Sequence, residues 1–199
     1  MMMSMIMTNS TTSNYKDSLP DHVHIFNVEQ HDQYKPLLLK SIQQMIDDNN
    51  IQLNEKGYYY DYNIPKVKRT YQKLIDSLLM PYMYELSEPY GLSMDFNKSR
   101  TWWFQQYFQN SDFGWHQHSG HWACVYYLEL PEMTEATEFL NYGQFNVEEG
   151  DVIFFPTFLT HRAPIIKSNQ RKTIIATNVN FVVDRKMIQQ YGEESFRCR

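Results

Sequence analysis

Cysteine is scarce in this chain. There are two, Cys124 inside an apolar run and Cys198 next to the last residue, and a strand thiol and a tail thiol make a poor disulfide pair. A disulfide scaffold is thereby excluded, and a reducing, cytoplasmic setting is the expectation. Positive charge is also short: 18 Lys and Arg against 23 Asp and Glu leave a net charge of -5, which argues against nonspecific nucleic-acid or membrane-surface binding. No stretch approaches the ~20 apolar residues of a membrane span. The opening Met1-Met-Met-Ser-Met-Ile-Met has no basic segment and is too short an apolar run for a secretion signal. Without such a signal the glycosylation triplets at Asn9 and Asn97 carry no meaning. No internal repeat is visible.

Aromatic residues are abundant instead. Fifteen Tyr, 12 Phe and 4 Trp suit pleated strands and a lined pocket better than a helical bundle. At 199 residues the chain is long enough to bury a full core as one domain.

Residues 1–20 carry no periodicity and read as a flexible tail, with a single domain over 21–199. His22 to Val28 alternates and predicts a first strand. His22 and His24 share a face there, but no third ligand lies nearby and a solvated edge is the plainer reading. Residues 34–48 place Leu37, Leu38, Ile42 and Met45 at helical spacing, and 67–85 do the same with Tyr71, Leu74, Leu78 and Leu79. Pro81 should kink or split the second helix. Tyr58-Tyr-Tyr-Asp-Tyr-Asn between them reads as a loop. These helices, over about 33–88, are expected to back a sheet.

From residue 100 to about 183 the period changes to two. Short strands separated by Asn110-Ser-Asp, Pro131-Glu, Glu148-Glu-Gly and Lys167-Ser-Asn predict a mostly β fold with N-terminal supporting helices, an antiparallel barrel or jelly roll. Within it, His116 and His118 project from one side of a strand and can reach one metal ion. His161, after Val152-Ile-Phe-Phe-Pro, can join them if the strands fold back. Three ligands on one face leave positions for substrate and oxygen, the open geometry of mononuclear non-heme iron. In Arg171-Lys-Thr-Ile-Ile-Ala-Thr, parity groups Arg171 with Thr173, Ile175 and Thr177. A guanidinium among apolar neighbours suits a carboxylate, and Tyr127, grouped with Ala123 and Val125, can donate to the same carboxylate.

Trp115-His-Gln-His, Cys124-Val-Tyr-Tyr-Leu, Thr137-Glu-Phe, Glu149-Gly-Asp-Val-Ile-Phe-Phe-Pro, His161 and Arg171-Lys-Thr-Ile together resemble the Fe(II)/2-oxoglutarate dioxygenase superfamily. The likeness is greatest to its prolyl-hydroxylase-like branch and to small phage-type oxygenases, and it covers roughly residues 100–183. It implies a double-stranded β-helix, Fe(II) held by His116 and His161, and 2-oxoglutarate and O2 as cosubstrates. Arg171 would hold the distal carboxylate, with help from Tyr127 and, more weakly, Tyr107. It further implies hydroxylation of a C–H bond in a peptide side chain or small molecule, with release of succinate and CO2.

The sequence departs from that pattern at His118, where the family usually has a carboxylate. A neutral imidazole can ligate iron, giving a His116–His118–His161 set with one negative charge fewer. A shifted register with His118 as first ligand and Gly120 at the carboxylate position is an alternative, as in related halogenases. Two other classes stay open: a cupin-like three-histidine metalloenzyme with no need of Arg171, and a jelly-roll binding module with structural histidines. Among the remaining candidates, His121 shares the parity of Tyr127 and reads as a pocket residue that supports a ligand or touches substrate rather than binding the metal, Cys124 as inert packing, and Asp112 and Glu129 as solvated turn residues.

Overall fold

The computed structural model describes residues 22–94, 101–132 and 134–192. The expected tail over 1–20, the triplet at Asn97 and Cys198 lie outside them.

Strand β1 (His24–Asn27) leads into helix α1 (His31–Asp48), a short strand β2 (Tyr58–Tyr60) and helix α2 (Gln72–Ser87). Strands β3 (Leu92–Met94), β4 (Trp103–Tyr107), β5 (Phe113–His116) and β6 (Trp122–Glu129) follow. Then come β7 (Glu138–Phe139), β8 (Gly143–Gln144), β9 (Asp151–Pro156) and β10 (His161–Ala163). The described chain ends with β11 (Lys172–Val179), β12 (Phe181–Val183) and helix α3 (Arg185–Tyr191).

Ten of these strands form two sheets, one of six strands in the order β1-β9-β6-β11-β4-β2 and one of four in the order β5-β10-β7-β8. Every pairing is antiparallel. Apart from the β7–β8 hairpin, no two paired strands of these sheets are consecutive in the chain, as in a double-stranded β-helix, with α1 and α2 backing the larger sheet.

Side-chain alternation builds two cores. On β6, Cys124, Tyr126 and Leu128 join Leu38, Ile42, Leu78 and Leu79 of the helices. Ala123, Val125 and Tyr127 face the other way, with Ile153 and Phe155 of β9 and Phe139 of β7, into the space between the sheets. The large sheet is thus apolar on both faces, which explains the nearly continuous apolar runs of β6 and β9.

Three expectations need correction. Helix α1 buries Leu38, Ile42, Met45 and Ile46 but leaves Leu37 48% exposed, so the apolar stripe lies one position further round. Helix α2 is continuous through Pro81. That residue is exposed, and the turns on either side are held by the buried Leu78, Leu79, Tyr82 and Met83. Tyr58–Tyr60 is a strand, not a loop, paired to β4 with Tyr58 opposite Tyr107 and Tyr60 opposite Gln105.

A buried ion pair fastens this added strand. The Asp61 carboxylate is fully buried and accepts from the Tyr71 hydroxyl at 2.6 Å and the Phe104 amide at 2.9 Å. The Arg69 Nε stands 3.3 Å from it and donates to the Ile64 carbonyl (3.0 Å), while Nη1 and Nη2 donate to the carbonyls of Trp102 (2.6 Å) and Tyr62 (2.8 Å). The β2–α2 connection is pinned to the start of β4, and Tyr58, Tyr60 and Tyr62 are placed beside the space between the sheets.

Candidate metal centre

The β5 strand ends at His116, and β10 begins at His161. The two residues are direct partners across the antiparallel ladder. His118 follows two positions on, where its amide donates to the Thr157 carbonyl at 3.2 Å and holds the chain against the end of β9. One nitrogen from each imidazole can be chosen so that all three lie within 4.8 Å of one another. Among the described residues this is the one cluster of three or more His, Cys, Asp or Glu side chains able to hold a metal ion.

The orientation of two of the rings is fixed from behind. The His116 Nδ1 lies 2.8 Å from the Gly114 carbonyl, and the His161 Nδ1 lies 2.8 Å from the Leu159 carbonyl. A carbonyl only accepts, so each Nδ1 carries the proton and each Nε2 presents a lone pair. Phe113 packs edge-on to His116 at 4.5 Å and Phe155 edge-on to His161 at 4.7 Å between ring centroids. Burial pushes all three imidazoles toward the neutral form, His118 to about 4 and His161 to about 3, with His116 also lowered. Neutral imidazoles are the form that binds a metal.

The set fits a divalent transition metal. The Nε2 atoms of His118 and His161 are 3.2 Å apart. Two nitrogens each about 2.1 Å from one ion, at roughly a right angle, would be about 3.0 Å apart. Three neutral nitrogen donors with no carboxylate or thiolate suit iron, copper, nickel or zinc and give no preference for calcium or magnesium.

A cavity of about 510 Å³ opens from these histidines between the two sheets, walled by Trp103 and Tyr107 of β4, Tyr58 and Tyr60 of β2, Ile174 and Ala176 of β11, and Thr137. Tyr107, the weaker cosubstrate candidate, lines this cavity. Tyr127 faces the same interior, but its hydroxyl is occupied, donating to Thr137 Oγ1 at 2.9 Å and accepting from the Thr137 amide at 3.2 Å. Thr137, which lines the cavity, is left with its own hydroxyl proton to give.

Arg171 does not share the cavity. Its guanidinium holds the Glu129 carboxylate with two hydrogen bonds, Nε to Oε2 at 2.8 Å and Nη2 to Oε1 at 2.7 Å, beside Lys35, Glu149 and Gln170 on the outside of the large sheet. The parity grouping of Arg171 with Thr173 and Ile175 was right; the face was the opposite one. Ile175 belongs to the helix-side core, and Ile174 and Ala176 to the inner one. The cation on the inner face is the neighbouring Lys172, 1% exposed and opposite Tyr107 across the β4–β11 ladder. Its amine donates to the Glu135 carbonyl at 2.5 Å and lies 5.6 Å from the centre of the Tyr107 ring.

The remaining candidates fall outside the cavity. His121 is exposed, and its Nδ1 accepts from the Phe181 amide at 3.0 Å. His24 packs on Trp122 and His22 on Tyr142. Cys124 is buried in the helix-side core, where burial raises its thiol pKa and leaves it inert. Asp112 is a solvated partner of Lys56. Glu129 is more than a turn residue, since it is the acceptor for both Arg171 and Thr173. The sequence reading missed Lys172, Thr137, Trp103 and Asn178. Asn178 lines the cavity, and its Oδ1 is buried with no hydrogen-bond partner.

No family model and no curated protein matches the sequence. Solved structures do match. A prolyl 4-hydroxylase from Phytophthora capsici superposes with a TM-score of 0.58 at 11% identity, over 89% of this chain and 63% of that one. A prolyl hydroxylase from Trichoplax adhaerens, in complex with a hypoxia inducible factor peptide fragment, gives 0.58 at 9% identity over 86% and 87%. HygX from Streptomyces hygroscopicus, with nickel and 2-oxoglutarate bound, gives 0.54 at 11% over 80% and 82%. The chain spans less than two thirds of the Phytophthora protein. At such identities the likeness is one of fold: this is the double-stranded β-helix that prolyl hydroxylases and 2-oxoglutarate oxygenases share.

Proposed function

We propose that the chain is a non-heme Fe(II), 2-oxoglutarate-dependent oxygenase that hydroxylates a C–H bond. The observation that carries this reading is the set of three imidazoles, two of them back-bonded, opening on a cavity between the sheets, with the buried amine of Lys172 behind its Tyr107 wall. An iron(II) ion bound by His116, His118 and His161 supplies the redox chemistry by which O2, 2-oxoglutarate and a C–H bond become CO2, succinate and an alcohol.

The protein's own part is binding and orientation. His116 and His161 keep their Nε2 lone pairs aimed inward because their Nδ1 protons are engaged behind them. His118 completes the set without adding negative charge. The far carboxylate of 2-oxoglutarate is assigned to Lys172, with the Thr137 hydroxyl as a second donor; Arg171 is committed to Glu129. Tyr107 and Ile174 wall this end of the cavity and exclude water, which strengthens the contact between amine and carboxylate. At the mouth, Tyr60, Tyr62, Trp103 and Asn63 offer aromatic faces and a neutral amide. Such a mouth suits an uncharged peptide segment or small molecule.

A metal oxygenase that uses no cosubstrate is the second reading. It is favoured by the absence of a carboxylate ligand and by the outward turn of Arg171. Anaerobic addition of Fe(II) and then 2-oxoglutarate separates the two. The first reading expects a visible charge-transfer band that needs both additions and disappears in His161→Ala. Fe(II) binding with no response to 2-oxoglutarate would favour the second.

A further inference from the structure

Lys172 is a lysine without a carboxylate. Its side chain is almost completely enclosed, and the amine makes one hydrogen bond, to the backbone carbonyl of Glu135. The Glu135 carboxylate is turned toward Lys167, 3.5 Å from Nζ and 3.3 Å from the amide nitrogen. From β4 the amine faces Tyr107, a phenol that burial holds firmly protonated. Tyr58 of β2 packs behind Tyr107 with ring centroids 5.0 Å apart, and burial keeps it neutral also. Asp112 is felt at Tyr107 only through space. A buried ammonium surrounded by neutral groups and one carbonyl is poorly compensated.

We infer that a dicarboxylate enters this cavity, beside the Tyr107 wall against which Lys172 is buried, together with a proton, which Lys172 takes up. The inference rests on the reading of the cavity as a 2-oxoglutarate site. The step is an acid–base one. The neutral amine accepts H⁺ from solvent, becomes an ammonium and pairs with the incoming carboxylate; no covalent bond to carbon forms and nothing is oxidised. In the ligand-free cavity, burial moves the amine from its ordinary 10.5 down to about 7, with Glu135 opposing the shift weakly. A carboxylate brought against it favours the charged form and raises that value again. The carboxylates of 2-oxoglutarate are ionised throughout the neutral range, so the proton gained belongs to the protein. Affinity is then flat below about pH 7 and falls up to about tenfold per pH unit above about 8, as protonated amine becomes rare in the free protein.

The test is anaerobic titration calorimetry of Fe(II)-loaded protein with 2-oxoglutarate at pH 6.5, 7.5 and 8.5. Each pH is run in two buffers of different ionisation enthalpy, so that the heat counts protons. Uptake approaching one proton at pH 8.5, with weaker binding there, is the expected result. Pyruvate carries the same keto-acid end without the far carboxylate, and should bind with no comparable uptake. In Lys172→Arg the side chain stays charged, so uptake should vanish and the pH dependence flatten. Should arginine not fit the enclosed site, Lys172→Met should bind 2-oxoglutarate weakly and equally at every pH. Equal affinity at pH 6.5 and 8.5 with no buffer-dependent heat overturns the proton coupling and leaves the cosubstrate assignment intact. No binding of 2-oxoglutarate at any pH by protein that holds Fe(II) overturns both.

Discussion

Arg171 and Lys172 are consecutive, and the pleat sends them to opposite sides of one strand. The arginine is locked two-pronged onto Glu129 outside, while the lysine is sealed inside above the Tyr107 ring. Their substitutions should therefore have opposite signatures. Arg171→Ala frees a carboxylate that is only 15% exposed and should lower stability by about 1–2 kcal/mol while leaving 2-oxoglutarate affinity unchanged. Lys172→Met should fold at least as stably and lose about 10–100-fold in 2-oxoglutarate affinity, the worth of a charge-assisted contact. Denaturant melts and equilibrium titration on the two variants decide it; a large affinity loss in Arg171→Ala would return the carboxylate to the arginine.

This pair also shows what could be read from the sequence. Period two told that Arg171, Thr173 and Ile175 share a face, but not which face. Both faces of β11 are buried, so hydrophobic pattern could not choose between Ile174 and Ile175. The β6–β11 register also shifts between Thr173 and Ile174, and strand-local parity cannot reveal such a shift. His116 and His118 were legible because their two-residue spacing puts them on one face, His161 required the strands to fold back, and the helix-then-strand order was enough for the architecture. Tyr58–Tyr60 was missed because three residues are too short to show a period. Thr137 stood in the Thr137-Glu-Phe motif, which gave no role to its hydroxyl. A buried lysine in an apolar strand was a signal, and its immediate arginine neighbour masked it.

The metal set makes a distinct prediction. His161 is opposite His116 across the ladder and is the most deeply buried of the three. His161→Ala should remove metal binding, seen as loss of the melting-temperature increase that Fe(II) or Ni(II) gives the parent protein; at 100 times Kd that increase corresponds to about 2.7 kcal/mol. His118→Asp adds a negative charge to the same set and should bind the metal at least as tightly. Weaker binding in His118→Asp, with the fold intact, would mean that position 118 does not face the ion.

The Asp61 carboxylate supports the site at a distance, by holding β2 and the mouth tyrosines against β4. Asp61→Ala leaves Arg69 as an uncompensated buried cation and the Phe104 amide unpaired, and should cost about 3–5 kcal/mol. Asp61→Asn keeps most of the shape. Burial already disfavours the charge and raises this carboxyl above its usual value, so the amide should cost clearly less than alanine. Urea unfolding compares the two; equal losses would mean that the hydrogen bonds at Asp61 contribute little.

Asn178 offers a case in which function and stability should move apart. Its Oδ1 is buried against the cavity wall without a partner, and an unmet acceptor of this kind costs about 1–3 kcal/mol. Asn178→Leu, similar in size and without polar atoms, should raise the melting temperature by about 2–4 °C for each kcal/mol recovered in a chain of this length. A lower melting temperature with metal binding preserved would show that the amide is already satisfied in solution.

Lys172 should also leave a mark on the ligand-free protein. Its amine titrates near 7 when folded and near 10.5 when unfolded, so between those values the unfolded chain binds more protons than the folded one. Stability must then rise with pH across that window, because the cost of burying a charge disappears as the amine becomes neutral. Below about pH 7 the full cost is present, and above about 10.5 none of it is. Other groups add slopes of their own, so the informative quantity is the difference between the parent and Lys172→Met. That difference should favour the methionine variant most at pH 6–7 and shrink steadily toward pH 9.5 in urea unfolding of metal-free protein. If the two curves run parallel over this range, Lys172 keeps its proton in the folded state, and the amine is better solvated than its enclosure implies.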